Sequence, residues 1–230
     1  MMRKKLTVTA IIIIIVTGLY FLGQTTRLLV IYKIPSNEML PDYEFHSLML
    51  ASKLKAFSYN DIICYQRALN ARDSSTEIII QRIAALEGDT VEINDGYLLR
   101  NGFMVDMPQK LMFNYIVKRK VVKNMNGFGK LKERPEIKGD TIILHLTAQQ
   151  CKELGQKYLL HKLNRLKKQR DPLIYGSNDE NCWNASNYGP TIVPKGYCFV
   201  LGDNRDNSVD SRFRGCIPVK DIIATALFPR

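Results

Sequence analysis

The chain has 230 residues, 46% hydrophobic and 24% charged, with a formal net charge of +11. That length supports one sizeable core, and the basic excess falls in one stretch: between Lys110 and Arg170 sixteen Lys and Arg oppose four acidic residues, a local charge of +12 that leaves the remainder close to neutral. His46, His145 and His161 stand alone, the five cysteines (64, 151, 182, 198, 216) form no CxxC pair and no Gly-rich phosphate loop occurs, so neither a metal nor a cofactor is expected.

Arg3, Lys4 and Lys5 precede an uncharged, mostly apolar run from Leu6 to Gly23. As a helix that run spans roughly 27 Å, near the lower limit for crossing a bilayer. The basic tip then places the N-terminus in the cytoplasm and the body outside. A cleavable signal peptide is the competing reading. Its apolar region would be shorter, and Gly23-Gln24-Thr25-Thr26 makes a poor small-x-small cleavage site. An anchor also argues against a nucleic-acid partner for the basic stretch.

Arg27 to Ile34 reads as an extended segment leading into Pro35, and if residues 34–39 stay extended, Ser36 and Glu38 face one side. Leu48 to Ala51 and Ile62 to Tyr65 read as strands. The β-branched run from Thr76 to Ile83 reads as a buried strand that carries Gln81 and Arg82 to opposite faces. Glu92 to Leu98 reads as a hairpin, with Asp95-Gly96 and Asn101-Gly102 as turn signals.

Inside the basic stretch, Asp140 to Leu146 reads as a strand. Thr147 is then an N-cap for a helix from Ala148 to about Lys168, with Gly155 a point where it can break in two. The end of that helix, Lys162 to Arg170, alternates basic residues with leucines. Such a face suits anionic lipid or an acidic partner, or is a solvated surface. A disulfide is allowed outside the membrane, but the odd cysteine count leaves at least one thiol free. After the turn Pro194-Lys195-Gly196, the apolar run Tyr197 to Leu201 reads as a buried strand, and Phe213 to Pro218 as the start of the next. Between them lies Gly202-Asp203-Asn204-Arg205-Asp206-Asn207-Ser208-Val209-Asp210-Ser211-Arg212. Its three carboxylates and two guanidiniums either form a solvated loop or neutralise one another at a partly buried site.

That last stretch closely resembles the G-D-N-R-D-N-S-x-D-S-R box of bacterial type I signal peptidases, membrane-anchored serine endopeptidases with a Ser–Lys dyad. Ile34-Pro35-Ser36-Asn37-Glu38-Met39-Leu40-Pro41 resembles the family's P-S-x-S-M-x-P nucleophile box, and Gln81-Arg82-Ile83-Ala84-Ala85-Leu86-Glu87-Gly88-Asp89-Thr90-Val91 its K-R-x-x-G-x-P-G-D-x-V lysine box. Asn60-Asp61-Ile62-Ile63 and Asn187-Tyr188-Gly189-Pro190 with Val193-Pro194 match shorter elements in the same order. The resemblance implies a mostly β, signal-peptidase-like antiparallel fold with an N-terminal transmembrane helix and an α+β insertion. The divisions expected are an anchor over 1–26, a core over 27–102, a basic variable second domain over 103–186 and a return to the core over 187–230.

The two departures fall on the dyad. Glu38 stands where the family has its serine and Gln81 where it has its lysine; glutamine offers no basic lone pair and glutamate no hydroxyl. The resemblance further implies that Ser36 helps form an oxyanion hole, and that Ser208 meets the residue at the lysine position, here a side-chain amide. It implies that Arg82 pairs with Asp203 or Asp210, that Asp210 and Arg212 brace the site, and that Met39-Leu40-Pro41 continues an apolar lip towards the bilayer. A Gln81 amide donating to the Glu38 carboxyl is expected in place of the dyad. The expected location is the bacterial inner membrane, single-pass, with the body extracytoplasmic. Two functions follow: a non-catalytic homologue that binds extended segments of exported precursors, with the bilayer and an active signal peptidase as further partners, or an endopeptidase with a relocated nucleophile such as Ser36.

Overall fold

The computed structural model describes residues 9–18, 28–70, 73–107, 110–119, 135–155, 161–163 and 165–228. Antiparallel strands dominate them. β1 (Leu29–Lys33), β2 (Leu48–Ser52), β3 (Ile62–Asn70), β4 (Asp73–Leu86), β13 (Tyr197–Leu201), β14 (Ile217–Pro218) and β15 (Ile222–Ala226) make a seven-stranded sheet in the order β1-β2-β15-β3-β4-β13-β14. The Ile-rich run of β4 is its organising strand. Opposed residues of β3 and β4 share a face, so Ile63 with Gln81 and Ile62 with Arg82 point to opposite sides of the sheet. One side buries Ile34, Met39, Met49, Ile62, Cys64 and Ile80; the other buries Ile63, Tyr65, Ile79, Ile83, Cys198 and Val200.

A four-stranded sheet, β12-β5-β6-β7, is built from β5 (Thr90–Asn94), β6 (Tyr97–Arg100), β7 (Phe103–Met104) and β12 (Tyr188–Ile192). Its hairpin turns at Asp95-Gly96, both with positive φ, as the Asp-Gly pair favours. Basic-stretch residues form a second four-stranded sheet, β11-β8-β10-β9, from β8 (Met112–Lys118), β9 (Glu136–Lys138), β10 (Thr141–Thr147) and β11 (His161–Lys162).

Three expectations give way here. The helix begun at Thr147 is α2 (Ala148–Gly155) and ends at the glycine. Thr147 Oγ1 accepts from the Gln150 N–H while Gln150 Oε1 accepts from the Thr147 N–H, a reciprocal cap. Beyond residues 156–160, which lie outside the described set, the described residues up to 170 are not helical, because tertiary contacts take the groups a helix would use. Lys162 pairs with Tyr115 in the sheet, its ammonium lies 3.4 Å from the Phe113 ring centre, and it donates to the Asp95 carbonyl at 2.6 Å. Asn184 Nδ2 takes the carbonyls of Leu166 and Gln169, and Asn187 Nδ2 that of Arg165. The amphipathic helix end is therefore absent. Secondly, residues 36–40 turn rather than extend, with Leu40 N–H donating to Asn37 O; this buries Met39 and Leu40 (1% exposed each) in the core, not on a lip. Thirdly, Phe213 lies in a short helix α3 (Ser211–Arg214) capped by Asp210, and only Ile217–Pro218 forms the following strand.

Of the apolar run Leu6 to Gly23, residues 9–18 form a helix, α1, with exposed side chains at Ile11 to Val16, and the rest lies outside the described residues. No helix among the described residues is long and apolar enough to cross a membrane. All five cysteines are free thiols.

Candidate functional site

The site assembles where β4, the 36–40 turn and the loop after β13 meet. Gln81, fully buried on β4, turns its amide nitrogen to the Glu38 carboxyl, Oε2 at 2.8 Å, and also to the Val209 carbonyl at 3.2 Å and Ser208 Oγ at 3.4 Å. Its carbonyl oxygen accepts from the Tyr65 hydroxyl at 2.9 Å. The second Glu38 oxygen accepts from the Val209 backbone N–H at 3.3 Å. Glu38 itself is half-buried, and burial raises its carboxyl pKa above the ordinary range. The bonds from Gln81 and Val209 partly offset that cost, since they favour the ionised form. Burial likewise pushes the Tyr65 phenol well above its usual value, so Tyr65 acts as a donor.

Ser36 stands apart from this network. Its Oγ accepts from the Glu38 backbone N–H at 3.4 Å. Gly202 explains how close the two loops come. A Cβ there would lie 2.3 Å from Ser208 Oγ and 2.9 Å from the Glu38 carbonyl, so only glycine fits. Asn204 N–H then donates to the same Glu38 carbonyl at 2.9 Å, tying the turn to the loop.

Three arginines hold the loop. Arg82 forks onto Asp203 (Nε to Oδ1 2.8 Å, Nη2 to Oδ2 2.5 Å) and also reaches Asp42 at 2.9 Å. Burial works against the Arg82 charge, but Asp203 and Asp42 outweigh it and hold the guanidinium pKa above its usual value. Arg212, 1% exposed, grips Asp210 through Nε and Nη2, both at 2.8 Å. Its Nη1 donates to the Ala185 carbonyl at 2.8 Å, and Nη2 donates also to the Arg205 carbonyl at 2.6 Å. Arg205 pairs with both oxygens of Asp106 at 2.6 Å. Of the two partners left open for Arg82, the structure chooses Asp203, and Asp210 goes to Arg212.

Sequence reasoning singled out Glu38, Gln81, Ser208, Arg82, Asp203, Asp210 and Arg212, which come together here. It missed Tyr65, Asp42, Asp106 and the Val209 N–H. Tyr65 had one signal: a phenol in the apolar run Ile62 to Tyr65, two residues along β3 from the position opposite Gln81. Asp106 had none, lying 99 positions from its partner. Among the described residues no group of three His, Cys, Asp or Glu is arranged to hold a metal ion. Chemically, the positions that the resemblance assigns to a nucleophile and a base hold a carboxylate and an amide in mutual hydrogen bond, and a side-chain amide accepts no proton near neutral pH.

The chain is 26% identical over 202 residues to the probable thylakoidal processing peptidase 2, chloroplastic, of Arabidopsis thaliana, covering 85% of this chain and 36% of that protein. It is 26% identical over 202 residues to signal peptidase I of Leptolyngbya laminosa, covering 84% of this chain and 64% of that protein. It thus spans about a third of the first and under two thirds of the second. A signal peptidase I structure from Enterococcus faecalis V583 aligns with 74% of this chain and 97% of its own, at 19% identity and a TM-score of 0.35. The family model for signal peptidase, peptidase S26, matches residues 4–230, nearly the whole chain and every loop of the site just described, and the chain therefore belongs to the signal peptidase S26 family.

Proposed function

We propose that this chain is a membrane-anchored signal peptidase homologue that holds extended segments of exported precursor proteins without cutting them. The observation that carries this reading is the 2.8 Å hydrogen bond from Gln81 to Glu38, which occupies the dyad positions with groups unable to act as serine and lysine. Strand β1 supports the binding half. It stands at the end of the seven-stranded sheet and leads directly into the Glu38 turn, so an added peptide strand would run towards the site. Arg3 to Lys5 ahead of the apolar run support a single-pass anchor with the body extracytoplasmic.

The test is cleavage of a signal-peptide-bearing precursor by the purified protein in detergent, beside the double change Glu38→Ser with Gln81→Lys and the single change Ser36→Ala. The proposal expects no cleavage by the parent and measurable cleavage by the double variant. Cleavage by the parent that disappears in Ser36→Ala overturns it and establishes a relocated serine nucleophile. Carbonate extraction of membranes tests the anchor: a protein recovered in the soluble fraction rules it out.

A further inference from the structure

The carboxylates around the site are not treated alike. Asp203, Asp210 and Asp106 each meet an arginine at 2.8 Å or less. Glu38 meets only neutral donors, the Gln81 amide and the Val209 N–H, and among the described residues no Lys or Arg reaches it within salt-bridge distance. The charges that act on it are Asp210, which opposes its ionisation, and Arg214, which favours it while bonded to Glu77 at 3.4 Å. Glu38 is also half-buried rather than closed off, next to Val209, which is 45% exposed. A partly desolvated carboxylate with no cation of its own gains most from a ligand that brings one. Each of its oxygens has a lone pair left after accepting one hydrogen bond.

We infer that the ligand presents a primary ammonium group to Glu38. This rests on the proposed binding of extended peptides and narrows its class. A peptide that begins at the site with a free α-amino group, or one that carries a lysine side chain there, is preferred over an uninterrupted chain, whose backbone offers the carboxylate only neutral N–H donors. No bond is made or broken; Glu38 is a binding residue.

The experiment measures binding of dye-labelled peptides to the full chain in detergent by fluorescence anisotropy. The probes share one small-residue sequence and differ in having a free N-terminus, an acetylated N-terminus, or an acetylated N-terminus with one lysine placed at successive positions. A fourth probe spans a signal-peptide cleavage point without a terminus at the site. The parent is compared with Glu38→Gln. The expected result is at least about tenfold tighter binding of the free-amine probe than of its acetylated twin, a difference that collapses in Glu38→Gln. Recovery of the affinity by one of the lysine probes identifies the side chain as an equal source of the ammonium. Equal binding of the free, acetylated and spanning probes overturns the inference while peptide binding itself stands. Binding of none of them removes both. Should Glu38→Gln fail to fold, raising the pH through the α-amino pKa of about 8 on the parent decides the matter, because a free-amine preference that survives deprotonation of the amine is not an ion pair.

Discussion

The Tyr65 hydroxyl and the Gln81 carbonyl oxygen lie 2.9 Å apart in the buried core, and this bond fixes which way the Gln81 amide points. With its oxygen committed to Tyr65, its NH2 must face Glu38. Tyr65→Phe keeps the ring and leaves a buried carbonyl oxygen without its donor, at a cost of about 1–3 kcal/mol. For a chain of this size that lowers Tm by about 2–4 °C per kcal/mol. The same change made beside Gln81→Leu should cost much less. A thermal melt of the two singles and the double measures the coupling, and equal costs in both backgrounds would mean that the Tyr65 hydroxyl acts through groups other than Gln81.

Arg82→Ala strands Asp203, which is 1% exposed, and also frees Asp42. Breaking one side of a buried pair costs about 3–5 kcal/mol because the remaining charge stays desolvated. Denaturant unfolding should show that loss, and Arg82→Ala with Asp203→Asn should regain part of it. A double variant no better than the single would place the cost in lost arginine packing instead.

These relationships differ in how far the sequence announced them. The Ile-rich run of β4, the Asp-Gly hairpin and the Asp210–Arg212 pair are local, written within a few residues by alternation, turn chemistry and opposite charge. Gln81 and Glu38 were legible because their flanking residues match the family while they do not. What escaped is non-local. Lys162 to Arg170 has a helix-like period, yet Asn184 and Asn187 seize its carbonyls from some 20 residues away, and tertiary bonds override a weak local preference. The turn at 36–40 is likewise set by Asn204, which binds the Glu38 carbonyl from a distant loop.

Glu38 gives the site a pH dependence of known sign. Burial raises its folded pKa above the ordinary glutamate value of 4.5, so between those two values the native state binds more protons than the unfolded chain. Stability attributable to Glu38 therefore falls as pH rises through that window and is level below it. Asp61 and Asp89, whose pKa values are lowered, act in the opposite sense. Subtracting the profile of Glu38→Gln isolates the Glu38 contribution: the parent should gain on the variant as pH falls from 7 towards 4.5. A flat difference would show that the carboxyl is not desolvated.

Tyr65 also bears on whether the peptidase chemistry can be restored. A lysine introduced at position 81 together with Glu38→Ser must offer a free lone pair to the serine hydroxyl. The Tyr65 phenol, held protonated by burial and aimed at the end of residue 81, donates to that same lone pair and competes with the serine. Adding Tyr65→Phe to the double change should therefore raise the cleavage rate of a signal-peptide-bearing precursor. A gain of about tenfold corresponds to roughly 1.4 kcal/mol of barrier. The gain should appear in kcat with KM little changed, because the phenol touches the base and not the peptide. A triple variant that cleaves no faster than the double would show that the Tyr65 hydroxyl orients the lysine productively.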